Sequence, residues 1–217
     1  MKNLLYLIIA ITLFSCNEKS KSLVKVKTEI KKENKYSELL EKFENISFDT
    51  LKIFSEENFK KFKGRELDSL NVILFPKEIT IQHFNDPPGL FACYKFSINK
   101  ETIGLIMRTP SEYLPSSIKL FIYDSKNNKI KSYMELAESW GDAGDGMQKT
   151  SWLIKKVNKF EVFTWVNESS YENPEDSIPE SWDSYFLIDI SKSKFDTISN
   201  DTNVLAKKYR SLIKSNH

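Results

Sequence analysis

The chain has 217 residues, of which 40% are hydrophobic and 29% are charged, so it carries enough apolar side chains for a folded core. Its 32 lysines and arginines nearly balance its 30 aspartates and glutamates, which excludes the broad positive field typical of a nucleic-acid-binding protein. Two cysteines and two histidines are too few for a disulfide framework or a multi-histidine metal centre.

The first fifteen residues have the layout of an export signal. Lys2 supplies a positive charge, and an almost entirely apolar run follows from Leu4 to Phe14. A permanent transmembrane helix needs about 20 apolar residues, so this run is too short to remain in a bilayer as a span. Residues 1–15 are therefore predicted to be a signal peptide.

A cysteine stands directly after this apolar run. In the sequence Leu13-Phe14-Ser15-Cys16, a leucine lies three residues before the cysteine and a small residue lies immediately before it. This segment resembles the lipobox of bacterial lipoproteins, and the resemblance covers residues 1–16 only. It implies that the Cys16 thiol receives a diacylglycerol, that the chain is cut before Cys16 and that the new amino terminus is acylated with a fatty acid such as palmitate. The alternative is an ordinary secretory signal with a chance cysteine at its end.

Residues 16–35 are rich in lysine and poor in large apolar residues, which predicts a flexible tether behind the lipidated cysteine. Two or three acyl chains, at about 0.8 kcal/mol per buried methylene, make a stable membrane anchor. The lysines either favour an anionic membrane surface or simply keep a spacer solvated. No run of acids follows Cys16, so we expect a cell-envelope protein whose folded part faces the periplasm.

Residues 36–217 are predicted to form a single β-rich domain with an amphipathic helix near each end. Apolar residues recur at helical spacing in Tyr36–Ile46 and in Asn203–Lys214. Between them the period changes to two, which predicts strands at Ile79–Phe84, Phe91–Ile98, Thr102–Arg108, Ile118–Asp124, Lys129–Leu136, Thr150–Val157, Phe160–Val166 and Tyr185–Ile190. Short connections with turn residues predict an antiparallel β-meander that forms a curved sheet or a sandwich, hence a mainly β (α+β) fold.

Strand alternation predicts two unlike faces of the sheet. The mainly aliphatic face is expected to be the main core and comprises Ile118, Leu120, Ile122, Ile130, Ser132, Met134, Leu136, Phe160, Val162, Thr164, Val166, Ser184, Phe186, Ile188 and Ile190. The other face mixes charges with aromatic rings, including Phe121, Tyr123, Tyr133, Phe163, Trp165 and Tyr185. Either the terminal helices bury these rings, or part of this face stays open as a platform for a sugar, a peptide or a partner protein.

Three of the six glycines lie in the stretch Trp140–Gly146, which predicts a tight, exposed loop. Its carboxylates, Asp142 and Asp145, are candidate calcium ligands, although their spacing does not match an EF-hand loop. The alternative is a turn in which these aspartates cap their own backbone. Trp140 beside them is a candidate edge of a sugar site.

A second irregular stretch runs from Asn167 to Asp183 and contains two prolines. Connections of this length are typically functional or disordered. Tyr171 and Trp182 lie near its borders, and together with the glycine-rich stretch they would form an acidic mouth with an aromatic rim. The candidate ligand-binding residues are Trp140, Asp142, Asp145, Tyr171 and Trp182.

The second cysteine, Cys93, lies in the apolar sequence Leu90-Phe91-Ala92-Cys93-Tyr94. Such surroundings favour a buried, inert thiol over a nucleophile.

These patterns predict a lipid-anchored envelope protein with a non-catalytic binding or architectural role. Its expected partners are the membrane, through the anchor, and a protein or a glycan, with no nucleic acid and no cofactor other than the candidate calcium ion. The competing hypothesis is an envelope hydrolase of glycan or peptide that uses the loop carboxylates. Convergence of Asp142, Asp145 and a third acid in a cleft beside Trp140 would favour an enzyme or a calcium site.

Overall fold

The computed structural model describes residues 35–55, 60–80, 89–111, 117–142, 144–171, 178–192 and 194–214. The predicted signal peptide, Cys16 and nearly all of the predicted tether lie outside these ranges. The described strands are β1 (Glu44–Asn45), β2 (Thr50–Ile53), β3 (Arg65–Glu66), β4 (Phe91–Asn99), β5 (Thr102–Thr109), β6 (Ser117–Asp124), β7 (Lys129–Asp142), β8 (Asp145–Lys155), β9 (Phe160–Ser170), β10 (Glu180–Asp189) and β11 (Asp196–Ser199). The helices are α1 (Lys35–Glu41), α2 (Ser69–Val72), α3 (Thr202–Lys208) and α4 (Arg210–Lys214), with a short 3-10 helix at Lys77–Thr80.

The described residues form one open sheet of 11 strands, which confirms the predicted mainly β class. Strands β4 to β11 are an antiparallel meander in chain order, as the short connections indicated. β1 adds to β4 in parallel, while β2 pairs with β8 and β3 pairs with β4. The predicted strand Ile79–Phe84 was wrong at its start, where the 3-10 helix lies, and residues 81–84 are outside the described ranges.

The sheet folds over along β7, because the two ends of this strand pair with different neighbours. Its first part pairs with β6, and its last part, from Glu138, pairs with β8. The main core lies between the two halves, where buried side chains such as Ile106 and Leu120 meet Leu153 and Val162. The aliphatic face is thus confirmed as the main core over most of its length.

One member of that aliphatic set lies on the other side of the sheet. A β-bulge between β6 and β7 sets Ile122 opposite Ser132 but Tyr123 opposite Ile130. The extra residue reverses the alternation, so Ile130 packs under the first helix instead of in the main core.

Helices cover the aromatic outer face, as the first of the two alternatives predicted. Tyr36 of α1 packs on Tyr123 with ring centroids 5.2 Å apart. At the other end of the chain, Tyr209 follows α3 and stacks on Phe163 at 4.2 Å. Asp201 starts α3 by accepting a hydrogen bond from the Val204 backbone amide at 3.0 Å. The helices therefore close both outer faces where the rings lie.

The buried thiol of Cys93 is confirmed as structural. Its side chain is 3% exposed, and its Sγ donates to the Phe62 carbonyl oxygen at 3.3 Å. Burial raises the pKa of this thiol to about 11, so it stays protonated at neutral pH.

Strands extend into both stretches that were predicted as irregular. β7 and β8 continue to Asp142 and Asp145, and Gly144 makes the turn with φ +102°, which confirms a tight turn with a positive backbone angle. In the second stretch, β9 runs to Ser170 and β10 starts at Glu180, while residues 172–177 lie outside the described ranges. The predicted bounds of both stretches were too wide, because glycine, serine and acidic residues lower strand propensity, yet paired neighbours still satisfy their backbone hydrogen bonds.

Candidate binding groove

Four strand ends project past the folded-over core, and we call them the extension. They are Glu138–Asp142 of β7, Asp145–Lys149 of β8, Val166–Ser170 of β9 and Glu180–Ser184 of β10. The pairing register sets side chains of one face in cross-strand rows. Lys149 lies beside Val166 and Ser184, and the next row joins Met147 to Glu168. This face continues the aliphatic face of the main core.

On this face the structure has a cavity of about 410 Å³, which we call the groove. Its lining residues are Met134, Glu135, Trp140, Met147, Lys149, Thr164, Val166, Glu168, Ser184, Phe186 and Ile188. Two flexible methionines, two aromatic rings and branched aliphatic side chains make most of its surface apolar. A largely apolar concavity with a few polar groups is the usual form of a ligand-binding site.

Several members of the predicted core lie in this groove and not in a closed core. Phe186 is 36% exposed, and Val166 and Ser184 are half-buried. On the same face, Trp182 is 47% exposed. The alternation that placed these residues on the inner face was correct, but the expectation that the inner face is closed here was wrong.

A half-buried ion cluster forms one end of the groove. Glu135 accepts a hydrogen bond from Lys149 Nζ at 2.6 Å and lies 3.5 Å from Lys119 Nζ. Burial disfavours the charge on Glu135, but the two lysines outweigh it and hold the pKa of this carboxyl below its usual range. Lysine and glutamate charges largely cancel at this end.

Glu138 lies at the border between the core and the extension and is 7% exposed. Burial raises the pKa of its carboxyl, and the neighbouring Glu135 charge raises that pKa further. The Glu138 carboxyl therefore favours its protonated form more than an exposed glutamate does.

The opposite end of the groove is acidic. Trp182 donates from Nε1 to Glu168 Oε2 at 2.9 Å, which fixes the indole beside this carboxylate. Ser170 donates to Asp145 Oδ1 at 2.6 Å across β8 and β9. These contacts hold the acidic side chains in place on strands.

The charge of this region is unusual for the chain. The described residues among 160–190 include five aspartates and glutamates and no lysine or arginine, although the whole chain has 32 basic residues. On the groove face, Glu168 and Glu180 belong to this segment, and Asp142 and Asp145 add two more carboxylates. The open end therefore has a negative potential.

The structure brings the five candidate residues together at the extension. Trp140 lines the groove, and Asp142 and Asp145 face each other across the hairpin. Trp182 lies on the same face, and Tyr171 packs over the turn, where a Cβ on Gly144 would lie 3.1 Å from its ring. No local pattern predicts this proximity, which results from the long pairing of β8 with β9.

Sequence reasoning missed the apolar floor of the groove. Met147, Val166 and Phe186 contribute to it, and none was a candidate site residue. A signal was present, since Asp145, Met147 and Lys149 alternate with the residues between them and continue the β8 pattern. The glycines on either side obscured that continuity.

Within the described ranges, no group of three or more His, Cys, Asp or Glu side chains is arranged to hold a metal ion. Within the same ranges, no helix is long and apolar enough to cross a membrane. No protein-family model, curated protein or solved structure matches the chain.

Proposed function

We propose that this protein is a lipid-anchored component of the cell envelope whose β-domain binds another molecule in the groove without transforming it. The open apolar groove, lined by Trp140, Met147 and Phe186, of which Phe186 is 36% exposed, is the observation that carries this proposal. Apolar surface left open on a sheet is typical of a contact surface. The anchor holds this surface at the membrane, facing the periplasm.

A binding role fits the polar groups better than hydrolysis does. Glu135 is neutralised by two lysines, and Asp145 accepts a hydrogen bond from Ser170. The groove thus offers an apolar floor with fixed polar ends, as a specific binding site does.

The anchor is tested by replacing the proposed lipid attachment site. Cys16→Ala removes the thiol that would carry the diacylglycerol. Cells grown with radiolabelled palmitate should incorporate label into the wild-type protein and not into the variant, and the variant should leave the membrane fraction. Cys93→Ala is the matched control, because this thiol is buried and should have no effect on labelling. Unchanged labelling of the Cys16 variant would refute the anchor.

The groove is tested by NMR of methyl-labelled methionine in the full chain. The chain has four methionines, and Met134 and Met147 line the groove while Met107 is fully buried elsewhere. Titration with 2-phenylethanol, a small neutral apolar probe, should shift the Met134 and Met147 signals in a saturable way. The Met107 signal should stay in place, which makes it the internal control.

Phe186→Lys should abolish these shifts, because it puts a charge into the apolar floor. Val204→Lys, at a residue of α3 that is 56% exposed, is the matched control and should bind the probe like the wild type. Absent or unsaturable shifts at Met134 and Met147 would contradict the groove as a binding site.

A further inference from the structure

We propose that the groove's partner is a positively charged polypeptide segment that binds in extended conformation along the outer edge of β10. This inference rests on the proposed function and names the chemistry of the molecule that the groove takes. Three independent features of the extension support it: an open strand edge, exposed apolar side chains beside that edge, and a negative potential around it.

The open edge belongs to β10. This strand pairs with β9 from Glu180 to Asp189, but β11 covers its other side only from Leu187 onward. Among the described residues, none pairs with the outer side of Glu180–Phe186. Alternate backbone amides and carbonyls there point away from the sheet, and a further strand would satisfy them. The open stretch matches an extended peptide of about seven residues, or roughly 23 Å.

Side chains beside this edge favour an apolar face on the added strand. Trp182 and Phe186 lie on the groove face of β10 and are 47% and 36% exposed. Residues of an added strand alternate between the two faces of the sheet, so every second one would lie beside these rings. Valine or isoleucine at those positions would extend the apolar floor of the groove.

Acidic side chains of the extension favour lysine or arginine at the other positions of the added strand. On the other face of β10, the exposed Asp183 carboxylate, which accepts hydrogen bonds from Trp165 Nε1 and Asn167 Nδ2, would lie beside the alternate residues of the added strand. Glu180 and Glu168 lie on the groove face near its open end, so they attract lysines of the added strand through the field around the edge and not by direct pairing. Since residues 160–190 have no basic side chain, lysine or arginine on the peptide would meet only acids from this segment.

The same charge disfavours a second copy of this chain as the partner. Pairing of β10 with β10 of another copy would set Glu180 and Asp183 against the same acids. Like charges across a strand pair are destabilising. The edge therefore repels itself and attracts a basic segment.

The test measures binding of a fluorescent peptide of alternating valine and lysine to the full chain in a neutral detergent, by fluorescence anisotropy. A peptide with glutamate at every lysine position should bind roughly tenfold more weakly or not at all. A third peptide keeps the sequence but carries N-methyl groups on the amides that would pair with β10. It should lose binding, because strand addition needs these amides.

Two protein variants locate the site. Phe186→Lys should weaken the valine–lysine peptide roughly tenfold, and Glu180→Lys should weaken it and reduce its salt dependence. Their matched controls are Val204→Lys and Glu41→Lys, exposed helix positions that do not line the groove. Both controls should bind the peptide like the wild type.

Equal binding of the lysine and glutamate peptides, undiminished binding of the N-methylated peptide, or no binding of any peptide would overturn this inference. A wild-type dimer that Phe186→Lys dissociates would overturn it too and assign the edge to a second copy. The 2-phenylethanol titration separates the two proposals. Saturable shifts at Met134 and Met147 without peptide binding refute only the peptide, whereas loss of both refutes the groove.

Discussion

The inner face of the sheet has two halves with similar sequences and different environments. In the first half, Leu153 and Val162 are fully buried because β4 to β6 lie opposite them. In the second half, Met147 and Val166 continue the same faces of β8 and β9, but they line an open groove. The strands are continuous, so the difference is in what packs against them.

Apolar alternation along a strand shows which face of the sheet is apolar, but it does not determine whether another layer covers that face. β7 leaves β6 at Ala137 and continues alone beside β8, which carries the strand ends past the opposing layer. The part of the inner face that lies opposite β4 to β6 therefore contributes to folding stability, and the part that lines the groove remains available for binding.

The largest difference in folding stability is expected between substitutions at two residues of β8, one in the closed core and one in the groove. Leu153→Ala should lower the free energy of unfolding by about 2–5 kcal/mol, because it leaves a cavity in the closed core. Met147→Ala removes a side chain that is half-buried in the groove, so its cost should stay below about 1 kcal/mol. Urea denaturation of both variants measures the difference. Equal losses of stability would show that the groove is packed as tightly as the core.

Much of the fold was predictable because local signals agreed with the final packing. Around Leu120, Val162 and Ile188, aliphatic or β-branched residues mostly alternate with aromatic or charged ones, and short turns fix the antiparallel order of these strands. The helix predicted at Tyr36–Ile46 was correct up to Glu41, where α1 ends, and wrong at Glu44–Asn45, which form strand β1, although Phe43 between them reaches the core.

The rest depended on long-range pairing, which no local pattern encodes. Gly141 and Gly146 look like loop residues, yet they pair with each other across a regular hairpin. The sequence therefore predicted the rim residues Trp140 and Trp182 of the groove, but not the apolar residues of its floor. The bulge that moves Ile130 to the outer face is likewise set by pairing with β6 and not by its own segment.

A smaller effect is expected from two carboxyls at opposite ends of the closed half, Asp124 and Glu138, which should change the pH dependence of stability in opposite directions. At the first hairpin, a hydrogen bond from Lys131 and two from Asn127 lower the pKa of Asp124. Asp124 therefore stabilises the fold above its unfolded pKa of about 3.9, and this contribution is lost as the pH falls. Asp124→Asn should cost stability at neutral pH and little in acid.

Glu138, at the border of the groove, should show the opposite sign. Burial raises the pKa of its carboxyl, so the folded state holds the proton more tightly than the unfolded chain does. Stability from this group falls as the pH rises from about 4.3 through the raised pKa. Glu138→Gln imitates the protonated carboxyl and should gain stability relative to the wild type as the pH rises. Urea midpoints at acidic and mildly alkaline pH measure both variants, with the exposed Glu41→Gln as control. If the urea midpoints of the Asp124 and Glu138 variants changed with pH in the same way, two assignments would be contradicted. These are the ion-paired carboxylate at Asp124 and the desolvated carboxyl at Glu138.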